Sequence, residues 1–104
     1  MLEIRKKILS DITEERQRQI AKFGPQYHDF PVWMTVLGEE VGEACQALLD
    51  SRKLTSTTPA YAEQMQMFRE ELIQVAAVAV AAIERIDIQT QVSTPVYDFG
   101  RHSE

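Results

Sequence analysis

The chain alternates between long stretches in which apolar residues recur with helical spacing and short stretches rich in Pro, Gly, Ser and Thr. The short stretches hold the residues that usually break helices, and they lie at 24–31, 51–59 and 93–100. The long stretches predict three helices, from about Leu2 to Phe23, from about Val32 to Asp50 and from about Ala60 to Thr90. No strand-like alternation of apolar and polar residues stands out, so the predicted fold class is all-α.

Apolar residues define one face on each of the first two predicted helices. In the first helix this face is formed by Ile4, Ile8, Ile12, Ile20 and Phe23. In the second helix, a rotation of about 100° per residue groups Trp33, Leu37, Val41, Ala44 and Leu48. Both helices are therefore predicted to be amphipathic and to bury these faces.

The middle of the third helix, "LIQVAAVAVAAI" at 72–83, is apolar on every side except at Gln74. A helix that is apolar all round is buried all round, and two other helices from a chain of this size are too few to surround it. The pattern therefore predicts a helical bundle of about three to four helices that is completed by further copies of the chain. The choice between a dimer and a dimer of dimers stays open.

The composition is that of a folded domain of ordinary size, with 104 residues, 44% hydrophobic and 26% charged. We assign residues 1–90 to one helical domain and residues 91–104 to a C-terminal tail that either stays loose or packs on a neighbouring subunit. The net charge of −5 argues against nucleic acid as a partner, because sequence-independent binding to nucleic acid requires clustered Lys and Arg.

The sequence also bears on the compartment. A single cysteine, Cys45, rules out an internal disulfide and fits a reducing compartment. The N-terminal segment "MLEIRKKILSDITEER" has no apolar stretch long enough for a signal peptide. The apolar run at 72–83 is shorter than the roughly 20 residues that a membrane span needs. We therefore expect a cytoplasmic protein with no membrane partner.

Three glutamates, Glu39, Glu40 and Glu43, lie close together on the second helix. On a helical wheel Glu43 falls about 40° and Glu40 about 100° from Glu39, so they form one patch beside the apolar face. Like charges at this spacing repel, and a bound divalent cation removes the repulsion because carboxylate oxygens are the preferred ligands of Mg²⁺. The alternative is a solvated acidic strip without a ligand.

A second acidic pair, Glu70 and Glu71, begins the apolar stretch of the third helix, and Gln74 follows one turn after Glu71. A buried amide must find hydrogen-bond partners or cost roughly 1–3 kcal/mol. Glu71 and Gln74 face the same way on a helix. They are therefore placed to complete a site that the glutamates of the second helix begin.

These motifs resemble those of a known family. "EEVGE" (39–43), then 27 residues, then "ELIQ" (71–74) resembles the EExxE…ExxD signature of the MazG-like all-α nucleoside triphosphate pyrophosphohydrolases. "ERQRQIAKFGPQYHD" (15–29) is similar to the segment that precedes the glutamate helix in small, single-domain and phage-type members, and "REELIQVAAVAVAAIERI" (69–86) is similar to their second metal helix. The resemblance covers most of the chain.

The resemblance implies a Mg²⁺-dependent enzyme, with Mn²⁺ as a possible substitute, that hydrolyses a nucleoside triphosphate to a monophosphate and pyrophosphate. Its expected role is to clear unwanted nucleotides. Glu39, Glu40, Glu43 and Glu71 match the acidic catalytic and metal-binding residues, and Gln74 stands where the signature has Asp. A neutral amide still offers a carbonyl oxygen but removes one negative charge. A catalytically weakened module that binds a nucleotide or a protein partner is therefore the alternative function.

The same resemblance suggests residues that bind the substrate: Lys22, Gln26, His28 and Trp33. For Lys22, phosphate binding competes with a solvated helix charge, as it does for Arg16 and Arg18. His28 either contacts the nucleotide or lies on the surface. Trp33 either stacks on a base or serves as a core aromatic residue.

Overall fold

Three helices make up the part of the chain that the computed structural model describes, residues 1–24 and 28–93. They are α1 (Leu2–Phe23), α2 (Phe30–Ser51) and α3 (Pro59–Ser93), and the described residues contain no strand. The three predicted helices are confirmed, and their ends differ from the predicted ones by at most three residues. Residues 91–93, which we assigned to the tail, continue α3, whereas residues 94–104 lie outside the described part.

Local signals in the sequence set the ends of the helices. Gly24 ends α1 with a φ of 73°, and its backbone N–H donates to the Ile20 carbonyl oxygen at 2.7 Å. Glycine suits this position because it alone adopts a positive φ without a steric cost. Asp29 caps α2, since its Oδ1 accepts from the backbone N–H of Val32 at 3.0 Å. Thr58 Oγ1 does the same for α3, accepting from the backbone N–H of Tyr61 at 3.2 Å.

Helices α2 and α3 pack side by side and run in opposite directions. Trp33, early in α2, packs on Val78 and Ala81, whereas Glu43, later in α2, meets Glu71, earlier in α3. The buried apolar residues of the described chain all belong to these two helices: Trp33, Ala44, Ala47, Ala77, Val78 and Ala81. Most of them are alanines, and small side chains allow two helix backbones to approach closely.

Helix α1 packs on α3 through polar side chains, and the described residues show no packing of α1 on α2. Arg69 Nη2 lies 2.7 Å from Asp11 Oδ2, and Arg16 Nη2 lies 2.8 Å from Glu84 Oε1. The only buried residue of α1 is Glu15. These ion pairs fix which side of α1 faces α3.

The apolar face predicted for α1 is therefore not buried within this chain, and that part of the prediction is wrong for the single subunit. Ile4, Ile20 and Phe23 are all exposed, and Ile12 alone is half-buried. The physical reason is that α3 offers α1 the charged side chains of Arg69 and Glu84 rather than an apolar surface.

On α2 the predicted apolar face is only partly buried. Trp33 and Ala44 are buried, and Leu37 packs against the core, but Val41 and Leu48 are exposed. Ala47 and Ser51 take the side that meets α3.

The apolar middle of α3 is likewise covered on one side only. Leu72 is 45% and Ile83 55% exposed, whereas Ala77 is fully buried. Two helices of the same chain thus leave part of α3 uncovered. Within residues 1–24 and 28–93, no helix combines the length and the apolar character that crossing a bilayer requires.

Candidate metal site

The packing of α2 on α3 brings three carboxylates together. Glu40 and Glu43 come from successive turns of α2, and Glu71 comes from α3. Each side chain offers one oxygen, and these oxygens all lie within 4.8 Å of one another. We call these three residues the carboxylate trio. Glu43 is exposed, whereas Glu40 and Glu71 are half-buried, so the trio opens to solvent on one side.

Two oxygens of the trio lack a hydrogen-bond partner. Oε2 of Glu40 and Oε2 of Glu71 are both buried, and neither accepts a hydrogen bond. A buried polar atom without a partner costs roughly 1–3 kcal/mol, and more when it carries charge. A divalent cation coordinated by these oxygens would remove that cost. The residues present therefore fit a metal ion, and a donor set made only of oxygen suits Mg²⁺, Mn²⁺ or Ca²⁺.

The electrostatics of the trio favour the loss of negative charge. Burial is the main cause of the raised pKa of Glu40, and the charges of four nearby glutamates raise it further: Glu43, Glu71, Glu15 and Glu39. Burial also raises the pKa of Glu71, together with the charge of Glu43, a hydrogen bond shared with Glu43 and the charge of Glu70. The folded chain thus stabilises the neutral form of these two carboxyl groups unless a cation compensates their charges.

The remaining predicted metal ligands lie around the trio. Glu39 is exposed and is not one of the three residues whose oxygens come together, although its charge acts on Glu40. Gln74 is half-buried and lies one turn after Glu71 on α3. The roles of Glu39 and Gln74 as ligands stay predictions.

A cleft of about 380 Å³ separates α1 from α3. Its walls carry both signs of charge, and six of the lining residues are Asp11, Glu15, Arg18, Arg69, Glu70 and Gln74. Glu70 and Gln74 flank Glu71 along α3. The cleft therefore adjoins the carboxylate trio on the side of α1.

The predicted substrate-binding residues lie toward one end of the α2–α3 pair. The His28 ring meets the Trp33 ring edge-on, with centroids 4.8 Å apart and an interplanar angle of 74°. Trp33 is only 5% exposed and belongs to the core, so the structure has it as a core aromatic residue. It precedes Glu40 by two helical turns, about 10 Å along the axis. Lys22 is exposed, with Nζ 5.1 Å from the centroid of the Phe23 ring. Gln26 lies outside the described residues.

One acidic residue near the trio is missing from the sequence-based prediction. Glu15 is buried on α1, and its charge acts on Glu40. A signal for it exists, because Glu15 falls about 20° from Ile8 on a helical wheel. An acid in the middle of an apolar face is a residue whose burial needs an explanation.

No protein-family model, no curated protein and no solved structure matches this chain. The resemblance to the MazG-like enzymes therefore depends on the residues of its motifs alone.

Proposed function

We propose that this protein is a Mg²⁺-dependent nucleoside triphosphate pyrophosphohydrolase that cleaves between the α and β phosphates. The observation that carries the proposal is the carboxylate trio, in which two helices bring three carboxylates within 4.8 Å. The motif spacing in the sequence, which resembles the MazG-like signature, supplies the reaction. The products are a nucleoside monophosphate and pyrophosphate, and the proposed role is the removal of unwanted nucleotides.

In this proposal Glu40, Glu43 and Glu71 hold the cation, with Glu39 and Gln74 as additional ligands at the edge of the trio. When bound, Mg²⁺ neutralises phosphate charge and lowers the pKa of an attacking water. The residues of the chain supply the oxygen ligands and their fixed positions on two packed helices. Lys22, Gln26 and His28 are proposed to contact the nucleotide, and Trp33 supports His28 from the core.

The proposal includes a homo-oligomer. Its support is the large number of exposed apolar side chains on all three helices, among them Phe23, Met34 and Ile83. A monomeric protein rarely exposes extended apolar patches, and a second copy of the chain is an apolar partner that is always present. Light scattering at micromolar concentration tests this, and a stable, folded monomer would contradict it.

A second candidate function is a weakened relative that binds a nucleotide or a protein partner without turnover. The observation that favours it is Gln74, which lines the cleft next to the trio where the signature has Asp. Replacing a carboxylate by an amide removes one negative charge from the site and lowers its affinity for a divalent cation.

A panel of nucleoside triphosphates with Mg²⁺, assayed for both pyrophosphate and monophosphate, separates the two functions. The enzyme releases pyrophosphate rather than orthophosphate, and EDTA abolishes the release. The matched variants are Glu43→Gln, which removes a ligand charge, and Glu63→Gln, which changes an exposed glutamate far along α3. We expect only Glu43→Gln to lose activity.

Variants of Gln74 sharpen the choice. For an enzyme, Gln74→Asp should hold or raise the activity at limiting Mg²⁺, and Gln74→Leu should lower it because the oxygen is lost. If the parent chain binds a nucleotide without hydrolysing it, and Gln74→Asp creates turnover, the weakened relative is the correct interpretation.

A further inference from the structure

We infer that Glu15 of α1 belongs to the proposed metal site, where it adds a fourth negative charge that strengthens the binding of a divalent cation without touching it. The inference rests on the proposed function of the carboxylate trio. It adds a third helix to a site that the sequence motifs assign to α2 and α3 only.

Glu15 is the one charged residue that is buried in the described part of the chain, with 6% of its surface exposed. The other buried residues are Ser51 and six apolar residues of α2 and α3. Burial of a carboxylate is unfavourable unless charges or hydrogen bonds compensate it. An acid at this position therefore needs a physical reason.

The contacts of Glu15 do not explain its position as a tie between helices. Arg18 pairs with Oε1, and Gln19 Nε2 donates to Oε2 at 3.1 Å, and both partners belong to α1. Asp11 differs, because its carboxylate bonds across to Arg69 of α3 at 2.7 Å. The attachment of α1 to α3 is thus provided by other residues.

The same contacts hold the Glu15 carboxylate in a fixed place. Gln19 Oε1 accepts from Arg16 Nη1 at 3.4 Å, and Arg16 donates to Glu84 of α3 through Nη2 at 2.8 Å. This chain of hydrogen bonds orients the carboxylate without a large change in its charge, because Arg18 is mostly exposed and its charge is therefore screened by water.

The location of Glu15 connects it to the trio. Glu15 lines the cleft together with Glu70 and Gln74, the two residues that flank Glu71 on α3. Its negative charge also reaches Glu40 of the trio. A charge at this distance repels the carboxylates of the empty site and attracts a cation held between them, and both effects are strong where water is scarce.

The purely structural alternative is that Glu15 only orders Arg18 and Gln19. The two possibilities differ in what Glu15→Gln does, because glutamine keeps the size and a hydrogen-bond acceptor and loses only the charge. A structural role changes the stability of the metal-free chain and leaves cation affinity alone. A charge that acts on the cation changes the affinity.

The test is calorimetric titration of the full chain with Mg²⁺ or Mn²⁺ alone, without nucleotide, together with denaturant unfolding in EDTA. We expect Glu15→Gln to bind the cation about tenfold more weakly, as for other residues that support a metal site from outside it. The matched control is Asp11→Asn, another poorly exposed carboxylate of α1, for which we expect an affinity within about twofold of the parent.

A second variant works in the opposite direction. Arg18→Gln removes the positive charge paired with Glu15 and should tighten cation binding a few-fold, which a structural role does not predict. It also keeps the inference testable if Glu15→Gln does not fold. A parent that binds the cation while both variants bind it equally well overturns the inference and leaves the proposed metal site intact. A parent that binds neither cation overturns both.

Discussion

The two interfaces of α3 are built from different materials. Toward α2, α3 presents alanines and a valine that pack around Trp33. Toward α1, it presents Arg69 and Glu84, which pair with Asp11 and Arg16. One helix therefore carries an apolar contact on one side and a charged contact on another, although both join it to a helix of the same length.

The difference shows how the chain divides stability from attachment. Burial of apolar surface supplies most of the free energy of folding, so α2 and α3 form the stable unit. Exposed or partly exposed ion pairs contribute about 0–1 kcal/mol each, so they select the orientation of α1 more than they hold it. The carboxylate trio lies in the stable unit, and Glu15 lies on the helix that is held by charge.

The largest expected effect is the loss of the aromatic side chain at the centre of the α2–α3 interface. Trp33→Ala should destabilise the protein by about 3–5 kcal/mol, since it leaves a cavity against Val78 and Ala81. Denaturant unfolding measures this. The control is Gln46→Ala, at an exposed position of α2, which should change the free energy of unfolding by less than about 0.5 kcal/mol. Equal effects of the two variants would contradict an α2–α3 core.

Cation binding should act next in size and on the same interface. Mg²⁺ or Mn²⁺ at about 100 times its dissociation constant should stabilise the folded chain by roughly 2.7 kcal/mol. Glu40→Gln and Glu43→Gln should reduce this gain, which thermal melts with and without EDTA measure. If both variants respond to the cation like the parent, the trio is a solvated acidic patch.

A change of pH should affect the two interfaces in opposite directions. Without metal, the folded-state pKa values of Glu40 and Glu71 are raised above the value of about 4.3 in an unfolded chain. The folded state therefore binds protons more tightly, and the free energy of unfolding rises as the pH falls through the raised pKa values toward about 4.3.

The opposite holds for Asp11, whose pKa is lowered by its hydrogen bonds from Lys7 and Arg69. Its stabilisation is complete above the unfolded value of about 3.9 and is lost as the pH falls through the lowered pKa. Denaturant unfolding in EDTA at pH 7.5, 5.5 and 3 measures both limbs. Glu40→Gln should flatten the upper limb and Asp11→Asn the lower one. A parent that loses stability steadily from pH 7.5 to 5.5 would argue against the raised pKa values.

The smallest expected effect is that of salt. Sodium chloride at 1 M screens exposed charges and should lower hydrogen-exchange protection in α1, whereas protection in the centre of α2 should hold. Arg16→Gln should reproduce the loss in α1 at low salt, at a cost below about 1 kcal/mol. Protection that falls equally in α1 and α2 would show that the two interfaces do not differ in kind.

The sequence predicts the elements of this fold well because their signals are local. Gly24 with its positive φ and the Asp29 cap mark the ends of helices, and helical spacing of apolar residues marks their middles. The sequence also predicts Glu40, Glu43 and Glu71 as one site, since the spacing of each motif puts its acids on one side of a helix and the resemblance joins the two motifs.

What the sequence by itself determines is thus the helical class, the helix limits and the acidic character of the site. Only the tertiary structure decides which side of each helix is covered, because that depends on what the neighbouring helix offers. The side of α3 that meets α1 offers Arg69 and Glu84, and so α1 turns its charged side inward and leaves Ile20 exposed. The same rotation buries Glu15 and brings its charge close enough to act on Glu40, because a contact between helices distant in the chain depends on their packing.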